Sequence, residues 1–395
     1  MSTSARDDAH QAPPSLGVVV REWGRIGCIG FGGPPTHIKL LRDLCVERKG
    51  WLDAREFEDA IAACNLLPGP ASTQLAIFCG WRVRGRLGAV IGGAAFILPG
   101  LLVILALAAL FLSGTPPRWV IASGAGAGAA VPAVALQAGI TLLVASRRNR
   151  SQKAAQTRWL FYLAAGAAAA ATVGPWLVVV LLGCGTVELA TQSAQRDDGK
   201  IRGLAVVSLL ATSVAGSGVL LPLSWVALKV GALSYGGGFV IIPLMQADAV
   251  DRYHWMSGAD FLNAVALGQV TPGPVTHTVA VVGYAAAGPG GGLLAATVAF
   301  TPSFVFILLG ARHFDRLRGN WRARAFLDGA GPAAIGAILG SAVALARAIS
   351  VPWQYAVLAG ATVVLLLLRQ SVILTLIGAG AVGALIAVAG GPLPT

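Results

Sequence analysis

The sequence predicts an all-α integral membrane protein made of two inverted-topology repeats, with helices broken or re-entrant around Gly-Gly-Pro and Pro-Gly-Pro motifs. Composition gives the membrane. Of 395 residues 56% are hydrophobic and only 12% charged, with a mean hydropathy of +0.73, whereas soluble domains carry about 25% charged residues. The repeat appears when the sequence is laid on itself. At an offset of 204, residues 27 to 33 fall on 231 to 237, Trp51 on Trp255, Phe57 on Phe261, and Pro68-Gly69-Pro70 on Pro272-Gly273-Pro274. Inversion follows from the loops, because Lys and Arg mark the cytoplasmic side. The loop 146 to 158 holds Arg147, Arg148, Arg150, Lys153 and Arg158, while its counterpart near 347 to 353 holds Arg347 alone. In the other half the bias swaps: 311 to 325 holds Arg312, Arg316, Arg318, Arg322 and Arg324, against Arg118 alone in 113 to 118.

Residues 1 to 15 are polar, contain proline and lack the apolar run of a secretory signal, so a flexible tail is expected. The first repeat occupies 16 to 191. A connector with one transmembrane helix at 203 to 221 occupies 192 to 222, and the second repeat runs from 223 to 395. Stretches near 87–112, 119–145, 159–173, 176–191, 292–311, 326–347, 354–368 and 371–390 read as full crossings. The Pro-Gly-Pro segments do not. The loops 42 to 55 and 82 to 86 around the first are both basic and therefore both cytoplasmic. Residues 57 to 81 are thus expected to enter and return as two half-helices with Pro-Gly-Pro at the tip, and 261 to 284 to do so from the opposite face. FGGPP at 31 to 35 and YGGGF at 235 to 239 break another apolar segment in the same manner.

Irregular backbone at membrane depth is tolerated where it is buried in protein or lines a wet cavity, which makes the breaks the candidate substrate site. The first half contributes Gly32, Gly33, Asn65, Pro68, Gly69 and Pro70; the second contributes Gly236, Gly237, Gln269, Thr271, Pro272, Gly273 and Pro274. After the breaks come Ser72, Thr73 and Gln74, and Thr276, His277 and Thr278. On the first turn of a half-helix, free N–H groups and the helix dipole suit an anion. Ser and Thr there serve equally as helix caps, and the sequence leaves both readings open.

Arg25 aligns with Lys229, one base ahead of each glycine break. With His37, which can titrate near neutral pH, they are the candidates for charge compensation or coupling. Snorkelling of Arg25 to the interface and hydrogen-bonded packing of His37 are the competing readings. Carboxylates at depth are few: Glu22, Asp248, Asp251 and Asp260 lie towards segment ends and Glu188 near the end of a crossing, which favours an anionic substrate.

The net charge of +12 sits in short loops as the positive-inside rule requires, so nucleic acid is not an expected partner. The five cysteines form no CxxC pair and lie in or beside apolar runs, as buried hydrophobes do. No P-loop occurs, and no metal or nucleophile constellation, so neither an enzyme nor a cofactor or metal is expected.

FGGPPTHIKLLRD, LLPGPASTQLA and GRLGAVIGGAAFILPG in the first half, and ALSYGGGFVIIPLMQADAV, TPGPVTHTVAVVGY and LLAATVAFTPSF in the second, resemble the repeated signatures of the chromate ion transporter (CHR) family, full-length form with two homologous halves. The resemblance covers essentially the whole chain after residue 15. It implies a multi-pass secondary transporter of the bacterial inner membrane that exports chromate, coupled to protons or to the membrane potential, and confers chromate resistance. Sulfate, isosteric with chromate, is the implied competitor, and a homodimer is compatible with the reading. Where the family often has Gln before the first Pro-Gly-Pro this chain has Asn65, which keeps the amide and shortens its reach; Gln269 precedes the second. The alternatives are an uptake carrier for sulfate or another oxyanion, and an anion channel.

Overall fold

Proline and glycine inside apolar runs decide where the helices stop. The computed structural model describes residues 14–112, 116–147, 153–172, 177–196, 218–234, 239–314 and 319–394, and among these it has fourteen α-helices and no strand. Helix α1 (Leu16–Ile29) gives way at Gly32 and Gly33, whose φ of 96° and 74° belong to the left-handed region. Pro34 then opens α2 (Pro34–Arg42), its fixed φ suited to a first turn, and a π turn (Asp43–Arg48) follows. In α3 (Ala54–Cys64) the Asp53 carboxylate caps the start, accepting from the Glu56 N–H at 2.8 Å. Its 11 residues reach about 16 Å, roughly half a bilayer core.

The next helix, α4 (Ala71–Phe111), is not one span. Arg84 (φ −144°) and Gly85 (φ 63°) leave helical geometry and turn the chain, so that the two legs cross at Gly80 and Gly88. A Cβ on Gly88 would lie 2.1 Å from the Gly80 carbonyl oxygen. Arg82, at the end of the first leg, pairs with Glu56 at the start of α3. Residues 54 to 83 therefore form a hairpin whose open ends lie together and whose tip is Pro-Gly-Pro. Trp23 of α1 is fully buried and donates its indole N–H to the Ala76 carbonyl at 2.8 Å, fixing α1 to the first leg.

The second half runs through the same order of elements. Helix α8 (Leu220–Leu233) lies 204 residues after α1, and the π turn Ala247–Arg252 after α9 (Ile241–Gln246) lies 204 after the first π turn. Then come α10 (Gly258–Val270), with a Ser257–Asp260 capping box, a short 3-10 turn (Val275–His277) and α11 (Thr278–Gly310). The kink in α11 falls at Ala287 (φ −151°) and Gly288 (φ 64°), now at an offset of 203, with Gly283 and Gly291 at the crossing. One residue is missing between tip and kink. The 3-10 turn accounts for it: a rise of about 2.0 Å per residue against 1.5 Å lets three residues recover roughly one residue of α-helix length.

Around this core stand α5 (Arg118–Arg147), α6 (Lys153–Thr172), α7 (Leu177–Gln195), α12 (Trp321–Arg347), α13 (Pro352–Thr362) and α14 (Val372–Val388). Helix α12 packs on α6 and α7, and α14 on α5. Small residues let the backbones meet, as helix association in lipid requires: a Cβ on Gly336 would sit 1.9 Å from the Leu163 carbonyl oxygen. Five described helices are long and apolar enough to cross a membrane, and Leu87, Leu102, Leu309, Leu367 and Leu385 are exposed on outward faces as lipid contact demands. The all-α membrane architecture with broken helices is the one expected. The tail (1 to 13), most of the helix expected at 203 to 221, and Gly236 and Gly237 lie outside the described residues.

The crossing glycines give a direct test. Gly88→Val is expected to abolish monodisperse folded protein in size-exclusion chromatography, while Gly183→Val, with no atom within 4 Å of its Cβ position, is expected to behave as wild type.

Candidate functional site

The two tips dock across the halves. At the first, Gly69 (φ 117°) lies against second-half groups: a Cβ there would be 3.2 Å from the Gly231 carbonyl oxygen of α8 and 3.4 Å from Ser303 Oγ of α11. At the second, Gly273 (φ 88°) donates its N–H to the Gly30 carbonyl at the end of α1, at 2.9 Å, and Pro272 presses its carbonyl on Gly100 of α4. The same Gly30 oxygen is met by His37 Nε2 at 2.9 Å, and His37 Nδ1 meets Ser72 Oγ at 3.1 Å. Buried edge-on to Phe96, His37 thus ties the first glycine break, the first half-helix and the second tip together.

The first turns after the tips are uncapped. Neither Pro70 nor Pro274, the N-cap residues, is joined by a side-chain cap hydrogen bond. The polar side chains around the tips are either engaged by backbone carbonyls or orphaned, and Gln74 is both. Thr271 and Thr278 donate their hydroxyls to the backbone carbonyls of Leu267 and Val275, at 2.9 and 2.8 Å, and have no proton left to offer. Gln74 donates to the Pro68 carbonyl at 2.7 Å while its Oε1 is unpartnered. Thr73 Oγ1, Gln269 Nε2, Thr276 Oγ1 and Ser303 Oγ are buried with no hydrogen-bond partner among the described residues. His277, fully buried edge-on to Phe300, is in the same position at both ring nitrogens. The carbonyls of Ile97 and Pro272 approach its ring, short of hydrogen-bond geometry. Buried polar groups are ordinarily satisfied. Orphaned groups at both interlocked tips make the tips the candidate place for a polar occupant.

The charged candidates fall elsewhere. Arg25 is exposed on the outer face of α1. Lys229 is buried, two residues ahead of the Gly231 carbonyl that abuts the first tip, but its Nζ is held by Asp248 Oδ2 at 2.5 Å. This corrects the placing of Asp248 towards a segment end: the π turn after α9 folds it back onto α8, and it is 2% exposed. Ser303 and Asp248 lie inside the LLAATVAFTPSF and ALSYGGGFVIIPLMQADAV stretches, but nothing local marks either side chain as facing the first tip or Lys229, so sequence reasoning missed the first and misplaced the second.

A cavity of about 970 Å³ reaches the first tip. Asn65, Gly69 and Ala71 belong to its lining, as do the charged residues Arg158, Glu188, Arg196, Arg324 and Asp328 with Tyr162 and Gln192. Gly32, Asn65 and Pro68 are exposed, whereas Gly33, Pro70, Pro272 and Pro274 are buried. The orphaned side chains are buried and do not line this cavity.

Comparison with known proteins bears on this arrangement. The family model described as chromate transporter matches the chain twice, over residues 18–189 and 221–384. The chain belongs to the chromate transporter family. It is 33% identical over 392 residues to the chromate transport protein of Cupriavidus metallidurans, covering 96% of this chain and 95% of that protein. It is 30% identical to the chromate transport protein of Pseudomonas aeruginosa, over 88% of this chain and 85% of that protein. The probable chromate transport protein of Synechococcus elongatus is 29% identical over 84% of this chain and 85% of its own. No solved structure matches it. Within this chromate transporter family member, the two matched regions each carry one Gly-Gly sequence and one Pro-Gly-Pro tip.

Breaking a buried ion pair by removing one partner typically costs about 3–5 kcal/mol, while replacing both by apolar residues is often neutral. Lys229→Leu alone is expected to lower folded yield in thermal-shift assays, and Lys229→Leu with Asp248→Leu to restore it.

Proposed function

We propose that the chain is a secondary carrier that exports chromate across the bacterial inner membrane, with sulfate as competitor and protons or the membrane potential as driving force, so that it confers chromate resistance. The observation that carries this reading is the cluster of orphaned donors, Thr73, Gln269, Thr276, His277 and Ser303, around two reciprocally docked tips. A tetrahedral oxyanion accepts hydrogen bonds from many directions at once, and a helix N-terminus offers it N–H groups and a favourable dipole. Similarity over most of the chain to the chromate transport proteins of Cupriavidus metallidurans and Pseudomonas aeruginosa supports chromate as the anion.

In this reading the two halves are inverted repeats that rock about the shared site. Tip 1 rests on α8 and α11, tip 2 on α1 and α4. Movement of one half relative to the other parts one docking contact while the other holds, which is the geometry alternating access needs. The cavity, walled by Arg158, Arg196 and Arg324, opens on the basic side and is the cytoplasmic vestibule. Charge at the tips is met by neutral donors and helix ends, because Lys229 is neutralised by Asp248 and Arg25 faces outward. His37 links Ser72 to the Gly30 carbonyl and is the candidate coupling group at the site.

Hydrogen bonds to charged groups are worth about 1.5–3 kcal/mol, or roughly 10- to 100-fold. Thr276→Val and Thr73→Val are each expected to lower chromate uptake into everted vesicles by that order at equal protein level. Thr278→Val, whose hydroxyl is engaged by the Val275 carbonyl, is expected to retain transport. Equal losses at Thr276 and Thr278, or none at either, would overturn the site.

A further inference from the structure

The vestibule holds a second constellation that the tips do not explain. Glu188 of α7, 5% exposed, receives four hydrogen bonds on its two carboxylate oxygens. Arg158 grips it with both arms of its fork, Nε to Oε2 at 2.8 Å and Nη2 to Oε1 at 3.2 Å. Tyr162, one turn further along α6, donates its hydroxyl to Oε2 at 3.0 Å, and Gln192, one turn along α7, donates Nε2 to Oε1 at 3.0 Å. The Arg fork matches carboxylate and tetrahedral oxyanion alike. Behind Glu188 the wall is rigid: α12 crosses at Gly329, where a Cβ would lie 2.8 Å from the Glu188 Cβ. In front lies the cavity that reaches the first tip, and Arg158 is 28% exposed and so within reach of solutes.

We infer that Glu188 is a tethered stand-in for the transported oxyanion, occupying a four-donor vestibule subsite that a tetrahedral oxyanion takes over when the carboxylate binds a proton and swings into the cavity. The exchange balances. One proton from the vestibule neutralises Glu188, and one oxyanion accepts the hydrogen bonds of Arg158, Tyr162 and Gln192 in its place. Charge along the cavity agrees: among the described residues its lining carries Arg158, Arg196 and Arg324 against Glu188 and Asp328, one net positive charge, and protonation of Glu188 makes it two, matching in magnitude the charge of a chromate or sulfate dianion. The groups bonded to the carboxylate are Arg158 and Tyr162 from α6 and Gln192 from α7; Asp328 of α12 shares Gln192 Nε2 at 3.4 Å, and Arg324 of α12 lines the same cavity. Arg196 is drawn over the Trp321 ring at 4.8 Å and stands at the mouth. A buried ion pair that only supports the fold needs neither the open cavity nor the Tyr and Gln donors converging on the same two oxygens.

The inference rests on the oxyanion reading above in its form driven by the membrane potential, since a proton bound with a dianion on the cytoplasmic side still leaves one net negative charge to be carried outward. Linkage is reciprocal, so acid must tighten oxyanion binding by the same factor by which the oxyanion promotes protonation, typically about 5- to 150-fold for coupled sites. Equilibrium dialysis of the purified full chain against chromate, with proton uptake followed in weakly buffered detergent solution, reads both sides. Wild type is expected to take up a proton with each chromate bound and to bind more tightly as pH falls. Glu188→Gln is expected to bind chromate about tenfold more tightly at neutral pH, with no proton uptake and a flat pH dependence. Wild type that binds chromate without proton uptake overturns the inference alone, whether or not the variant folds, as does a Glu188→Gln protein with wild-type affinity and pH dependence. Wild type that binds neither chromate nor sulfate overturns the oxyanion reading as well.

Discussion

A helix broken inside a bilayer frees backbone N–H and C=O groups that lipid cannot satisfy, and the rest of this structure depends on how those groups are met. The Gly273 N–H on the Gly30 carbonyl, at 2.9 Å, is the clearest instance. A tip in the second half is completed by a break in the first. Gly69 returns the relation by resting against Gly231 and Ser303. Each tip thus rests on the other half, which puts the breaks at the centre of the interface between the halves.

Such an arrangement has little tolerance for side-chain bulk, and the glycines record it. Where the legs of α4 and α11 fold back, Gly80 and Gly88, and again Gly283 and Gly291, let carbonyls approach to distances no Cβ allows. The tips need glycine for a second reason, a positive φ at Gly69 and Gly273. Packing and conformation thus explain these glycines without reference to substrate. What they leave unexplained is the polarity behind the tips, where Thr73, Thr276, His277 and Ser303 are buried with no hydrogen-bond partner among the described residues. In the proposed account the substrate supplies the missing acceptors.

Much of this was legible in the sequence because Pro and Gly in an apolar run act locally. The tips at Pro68 to Pro70 and Pro272 to Pro274, the break at Gly32 and Gly33, and the helix limits that follow from them need no knowledge of distant partners. The one-residue slip between tip and kink was not legible, since it depends on three residues choosing a 3-10 turn over an α turn. Long-range pairings were hidden for the same reason. Asp248 sits among polar residues and reads as an interface group until the π turn brings it to Lys229. Arg158 reads as one of several loop bases, and only the packing of α6 against α7 delivers it to Glu188. Arg25 and Lys229, equivalent by offset, differ because only α8 has a carboxylate folded onto that face.

The central claim is that the two interlocked tips form one oxyanion site. The most direct measurement is a cryo-electron microscopy structure of the full chain with chromate bound. Density for a tetrahedral anion between Pro-Gly-Pro 68 to 70 and Pro-Gly-Pro 272 to 274, within hydrogen-bond distance of Thr73, Thr276 and His277, is the expected result. Chromate bound elsewhere at saturating concentration in every state captured, with the tips closed and their hydroxyls hydrogen-bonded to protein alone, would contradict it.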